Sequence, residues 1–159
     1  EETVAAFLAL QRAGKIRHWG VSNFDTAEMT ALAALPAGGG CATNQILYNL
    51  TRRGPEWDLL PWCRAQRMPV MAYSPVEQGR LLAKPALRQL AARRGVSPAQ
   101  LALAWVLRQD GVFTIPKAGN AAHVRDNRAA LDLALTTEEC AALDHAFPPP
   151  RGPRPLELL

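Results

Sequence analysis

The chain has 159 residues, 48% of them hydrophobic and 20% charged, a composition that supports one globular core and excludes a disordered chain. Eighteen basic and 14 acidic residues leave a net charge of +4. The basic residues are scattered, and no aromatic-interleaved stripe marks a nucleic-acid groove. No apolar run approaches the roughly 20 residues that cross a bilayer.

The chain opens Glu1-Glu2-Thr3-Val4, with no Met and no basic-then-apolar leader, and reads as a segment of a longer protein. Residues 2–13 carry apolar positions at helical spacing, and Gly14 supplies a left-handed stop. Ile16 to Val21 reads as a short strand. Asp25 with Glu28 forms a capping box that opens a helix to about Leu35, which Pro36-Ala37-Gly38-Gly39-Gly40 breaks.

Cys41 to Leu47 is the second expected strand. Asp58 to Met68 is the next helix, with Trp57, Leu60 and Cys63 on one side. Pro69 to Ala72 is the third strand, followed by a loop and a helix near residues 85–94. Ser97-Pro98 is an N-cap and N1 pair opening a helix from Ala99 to Gln109. Leu101, Ala104 and Trp105 face inward on it, with the Arg108 stem beside them. Gly111 ends that helix and Val112–Ile115 is the fourth strand. Asn120 caps the next helix, and Thr136 with Glu139 forms another capping box, for a last helix to about Ala146. The proline-rich segment 148–159 is an irregular tail beyond the folded residues 1–147.

Strands alternating with helices imply a parallel sheet with right-handed crossovers. Periodicity alone fits either an open doubly wound sheet or part of a (β/α)8 barrel. A Gly-rich phosphate loop of the dinucleotide-binding kind is absent, which argues against the dinucleotide-binding version of the doubly wound sheet. Four strands are half a barrel. Such a half by itself leaves two strand edges and an inner face open, an association hazard through which self-association is possible.

The chemistry-bearing residues cluster where strands end. Ser22 and Asn23 follow the first strand and can pair with a carboxamide, although both are also ordinary turn residues. Asn44 and Gln45 are amides set within an apolar run, where an unpartnered polar group is costly. Tyr73 ends the third strand beside Ser74 and offers a flat ring to a heterocycle, though core tyrosines are commoner. Lys117 follows the fourth strand just before a helix start, where cation and helix dipole together attract an anion. Cys41, Cys63 and Cys140 stand apart without metal-ligand spacing, so no metal is expected. They read as reduced thiols of a cytoplasmic protein.

Gly20-Val21-Ser22-Asn23-Phe24, Asn44-Gln45, Ala72-Tyr73-Ser74-Pro75 and Ile115-Pro116-Lys117-Ala118 occur in this order, with Asp126-Asn127 beyond. Together they resemble the second half of the aldo-keto reductases, and most of all the small bacterial members that reduce methylglyoxal and similar aldehydes. The runs Arg17 to Thr26 and Leu59-Leu60-Pro61-Trp62-Cys63 carry that closer likeness. The resemblance implies strands five to eight of a TIM barrel, an α/β fold with four parallel strands and flanking helices.

It also implies an NADP(H) site and reduction of small aldehydes or ketones by hydride transfer. Ser22, Asn23 and Gln45 would hold the nicotinamide carboxamide, and Tyr73 would stack on its ring. Ser74 and Val76 lie on the segment expected along the pyrophosphate. Lys117 would meet the adenosine 2′-phosphate, with Ala118 and His123 beside it, and Asp126 and Asn127 would lie near the adenine.

Two departures stand out. His123 occupies a position where an arginine often clamps the phosphate, and Ala118 replaces a serine, so NAD use is also compatible. The family's catalytic tyrosine, aspartate, lysine and histidine belong to the first four strands, and none of them has a match here. Tyr48 and Tyr73 are not substitutes, and no catalytic residue is assigned. The expected reading is a reductase segment inactive by itself. The alternatives are a self-associating half-barrel module and a subunit completed by a separate chain.

Overall fold

The computed structural model describes residues 1–159. Seven helices and four strands alternate: α1 (Glu2–Arg12), β1 (Val21–Ser22), α2 (Thr26–Ala34), β2 (Asn44–Leu47), α3 (Leu59–Ala65), β3 (Val70–Tyr73), α4 (Pro85–Arg94), α5 (Pro98–Leu107), β4 (Val112–Thr114), α6 (Ala121–Ala129) and α7 (Thr137–Ala146). All strand pairs are parallel and the sheet order is β1-β2-β3-β4. That order never reverses, as in a barrel wall, whereas a doubly wound sheet has a switch point.

The expected capping signals are formed. Asp25 accepts from the Glu28 amide, Ser97 from Gln100, Asn120 from His123 and Thr136 from Glu139. Each satisfies one otherwise orphaned amide at a helix start. Three of the four strands are shorter than expected, and the third is shifted by one residue. Val21 and Asn44 replace Ile16 and Cys41 as first residues, although Ala42 N still donates to Trp19 O at 2.8 Å just before them. The third strand starts at Val70, because Pro69 has no N–H to give, and runs on to Tyr73. Trp57 does not join Leu60 and Cys63 in the core. It precedes α3 and is 48% exposed, while those two are buried.

Helices cover one face of the sheet. Asn44, Ile46, Val70 and Ala72 on that face are buried, and α5 behind them buries every residue from Leu101 to Val106, the mark of a helix packed on all sides. Register places Gln45, Met71 and Phe113 in one row of the opposite face. This face is open, with Phe113 39% and Ile115 44% exposed.

Trp105 anchors the lower layer. Its ring lies 5.5 Å from Tyr48, with the Arg53 and Arg108 guanidinium groups 4.9 and 4.3 Å from its centroid. Arg53 is buried and donates to Glu56, to Asp144 and to the Phe147 carbonyl, tying the segment after β2 to the end of α7. Removing one partner of such a buried cluster leaves an uncompensated charge.

Gly20 sets the approach of the chain entering β1 to β2. A Cβ there would stand 2.6 Å from the Thr43 carbonyl oxygen and 2.8 Å from its methyl group. Gly20→Ala is therefore expected to cost about 1–3 kcal/mol through forced displacement of backbone. A thermal melt tests this, and an unchanged midpoint would show that the two segments can separate freely.

Candidate functional site

The four parallel strands end on one rim; Ser22, Gln45 and Tyr73 lie within β1, β2 and β3, and the other sequence-assigned residues follow β1, β3 and β4. At the exit of β1, Ser22 Oγ and the Asn23 amide both donate to the Gln45 carbonyl, at 3.1 and 2.8 Å. Asn23 sits at φ 59°, the left-handed region, which asparagine tolerates better than most residues. The turn is clamped by fully buried Asn44, whose Nδ2 donates to Phe24 O at 2.7 Å and whose Oδ1 accepts from Phe24 N. Asn44 is thus a brace. Asn23 Oδ1 is buried and has no hydrogen-bond partner. Gln45, paired in register with Ser22 and Met71, meets only the Met71 sulfur with its side-chain amide, a weak acceptor.

Tyr73 closes β3 opposite Leu47 and is half-buried. Beyond it the backbone takes left-handed values at Ser74 (φ 48°), Glu77 (φ 50°) and Gln78 (φ 54°). This loop is held from below. Asn49, fully buried, donates through Nδ2 to the Ser74 carbonyl at 2.9 Å and to Glu77 Oε2 at 2.7 Å. Arg52 donates to Glu77 Oε1 through Nε and Nη2, and Arg80 through Nη2. Val76 is half-buried against the core. Burial alone would raise the Glu77 pKa, but hydrogen bonds from Arg52, Asn49 and Arg80 outweigh it and hold the carboxyl below its ordinary value.

Lys117 is exposed after β4 and forms no ion pair, and Ala118 beside it is half-buried. His123 lies in the first turn of α6, exposed, with its ring Nδ1 3.3 Å from Asn120 Nδ2. Asp126 accepts from Ser97 Oγ at 2.6 Å, which fixes α6 to the start of α5. Asn127 is half-buried. Hydrogen bonds therefore unite Ser22, Asn23 and Gln45, and join Ser74 to the β2 exit. No hydrogen bond joins Lys117 or the α6 residues to those two groups. Asn49, Arg52 and Glu77 were not anticipated from sequence, because nothing local marks a carboxylate that will be buried.

Tyr48 is a structural residue. It is fully buried, donates to Glu56 Oε1 at 2.9 Å and accepts from Gln109. Burial, followed by the Glu56 carboxylate, pushes its pKa up strongly. A cavity of about 610 Å³ lies away from all the assigned residues, between the β2 exit and the tail, where Thr51, Arg53, Phe147 and Arg151 line it.

The model of the aldo/keto reductase family matches residues 1–147. This chain belongs to the aldo/keto reductase family. It is 51% identical to methylglyoxal reductase YeaE of Escherichia coli K12 over all of its own length and 58% of that protein. It is 35% identical to glyoxal reductase of Bacillus subtilis 168, over all of its own length and 56% of that one. A crystal structure of an aldo/keto reductase from Klebsiella pneumoniae in complex with NADP and acetate superposes with a TM-score of 0.96 at 50% identity, covering 99% of this chain and 58% of the other. The chain thus spans somewhat more than half the length of these relatives. Its four parallel strands and flanking helices are the second half of an aldo/keto reductase barrel.

Folding lowers the Glu77 pKa, so its ionised form contributes stability in full above the ordinary carboxylate value of about 4.3. That contribution is lost as pH falls through the lowered value. Glu77→Gln is expected to cost about 1–3 kcal/mol at neutral pH. The difference in melting temperature between the native chain and this variant should shrink as pH falls below about 4. A difference that stays constant down to pH ~3 would show that the Glu77 charge contributes nothing.

Proposed function

We propose that this chain is the cofactor-holding half of an NADP(H)-dependent reductase of small aldehydes and ketones, methylglyoxal among them. The observation that carries the reading is the rim formed by Ser22, Asn23 and Gln45, where the buried Asn23 oxygen lacks a donor and the Gln45 amide lacks a strong acceptor. A carboxamide has both complementary groups. The half-buried Tyr73 ring closes the same rim and provides a stacking face for the pyridine ring. Ser74 and Val76 lie where the pyrophosphate would run. Unpaired Lys117 before the α6 N-terminus fits a 2′-phosphate, with Ala118 and His123 flanking and Asp126 and Asn127 toward the adenine. The likeness to the NADP-bound Klebsiella enzyme and to the Escherichia coli methylglyoxal reductase supports the same reading.

The chemistry such a cofactor supplies is hydride delivery to a carbonyl carbon. The task of the present residues is to bind and orient it. Neither tyrosine is placed to give the proton, since Tyr48 is sealed in the core and Tyr73 is assigned to the ring. Residues 1–147 form the barrel segment in this reading, and 148–159 the tail. The unpaired cysteines accord with a cytoplasmic protein. Because His123 and Ala118 offer no fixed second cation, preference for NADP over NAD rests on Lys117, and NAD remains an accepted ligand.

The isolated chain should therefore bind NADPH without reducing any carbonyl. Lys117→Ala should weaken NADPH roughly tenfold, the value of a charged hydrogen bond, with NADH little affected. Titration of nucleotide fluorescence reads both. Equal loss for the two nucleotides would remove the phosphate assignment. Carbonyl turnover abolished by Tyr73→Ala would overturn the non-catalytic reading.

One observation favours a second reading, a module that self-associates. Strands β1 and β4 each have one neighbour, and Phe113 and Ile115 are exposed on the open face. Sedimentation separates the readings, since a discrete dimer with one cooperative melt supports the module and a monomer rules it out.

A further inference from the structure

The tail reaches the loop after β3 through a single guanidinium. Arg52 Nη1 donates to Glu157 Oε1 at 2.7 Å, while Nε and Nη2 of the same group donate to Glu77 Oε1 at 3.1 and 2.8 Å. Glu77 is nearly sealed, with its side chain 6% exposed, whereas those of Arg52 and Glu157 are 31% and 48% exposed. Leu156, next to Glu157, packs against the hydrophobic core and so seats the tail. On the other side of Glu77, Asn49 spans from the carboxylate to the Ser74 carbonyl. An unbroken path of polar contacts therefore runs from residue 157 to residue 74.

The loop at the end of this path needs an external hold. Ser74, Glu77 and Gln78 all occupy the left-handed region, each at an energetic cost that only surrounding contacts offset. Arg52 is one such contact, giving two charge-assisted hydrogen bonds to Glu77 Oε1. A third of the Arg52 side chain is in water, and its remaining Nη1 is directed to a second acceptor. Glu157 is that acceptor.

We propose that Arg52 and Glu157 are positioning residues for the dinucleotide: the tail carboxylate orients Arg52, which holds Glu77 and with it the Ser74–Gly79 loop. The proposal rests on the reading of that loop as the pyrophosphate segment. It makes cofactor retention depend on a tail residue that touches no part of the cofactor. Arg52→Met should weaken NADPH binding roughly tenfold, as loss of a charged hydrogen bond does. Glu157→Gln should weaken it about two- to fivefold, as expected for a half-exposed pair. Arg52→Lys keeps the charge but loses the fork, so it should recover only part of the loss.

The test measures three quantities in the 159-residue chain and these variants: thermal midpoint, amide hydrogen exchange of residues 74–79, and NADPH affinity. For Glu157→Gln the expected result is an unchanged midpoint, faster exchange confined to that loop, and weaker binding. The double variant Arg52→Met with Glu157→Gln should bind no worse than Arg52→Met alone, since both act through one path. Unchanged loop exchange in both single variants overturns the proposal. So does faster exchange with unaltered affinity. If the native chain binds no dinucleotide, the proposed function fails, while the exchange result still decides whether the tail holds the loop.

Discussion

Parallel pairing in one register is the constraint on which the rest depends. Val21 pairs with Asn44, Asn44 with Val70, and Val70 with Val112, so all four strands run level. Every strand then ends on the same rim, and every following segment must begin there. The sheet buries one face beneath α5 and its neighbours. It leaves Gln45, Met71 and Phe113 on the other. That division puts Gln45, a costly residue for a core, where a ligand or a completing half can meet it.

The rim is not built from relaxed turns. Six non-glycine residues have positive φ, and four of them, Asn23, Ser74, Glu77 and Gln78, lie in the segments leaving β1 and β3. Their concentration there fits the general tendency of strained backbone to gather at functional sites. Two fully buried asparagines offset the strain. Asn44 braces the first turn from β2, and Asn49 braces the third from just beyond the same strand. The internal strand β2 and the residues just after it thus carry both supports, and Ile46 to Leu50 are all buried.

Much of this was legible in the sequence. The capping pairs Asp25 with Glu28 and Thr136 with Glu139 lie three residues apart, and Ser97-Pro98 is contiguous, so each could be read directly. Fold and family followed from the order of four rim motifs. Strand limits were less legible, because a short apolar run does not say which amides find a ladder partner. Trp57 misled for a related reason, since its hydrophobicity gave no hint that a 3₁₀ turn at Gly54–Glu56 would turn it outward. The path from Glu157 to Glu77 joins residues 105 and 25 positions from Arg52, and no local pattern encodes that. Asn44 shows the remaining difficulty: sequence marked it as unusual, but only its contacts with Phe24 show that it supports the site.

On this reading one dinucleotide site is shared by Gln45 of β2 and the residues at or beyond the ends of β1, β3 and β4. The most direct measurement is a nitrogen–proton correlation spectrum of the labelled 159-residue chain titrated with NADP. The account predicts shifts concentrated at Ser22–Phe24, Gln45, Tyr73–Gly79 and Lys117–Asn127, with the last group weaker for NAD. Shifts clustered instead around the cavity of Thr51, Arg53 and Phe147, or none at all in a cooperatively folded chain, would contradict it.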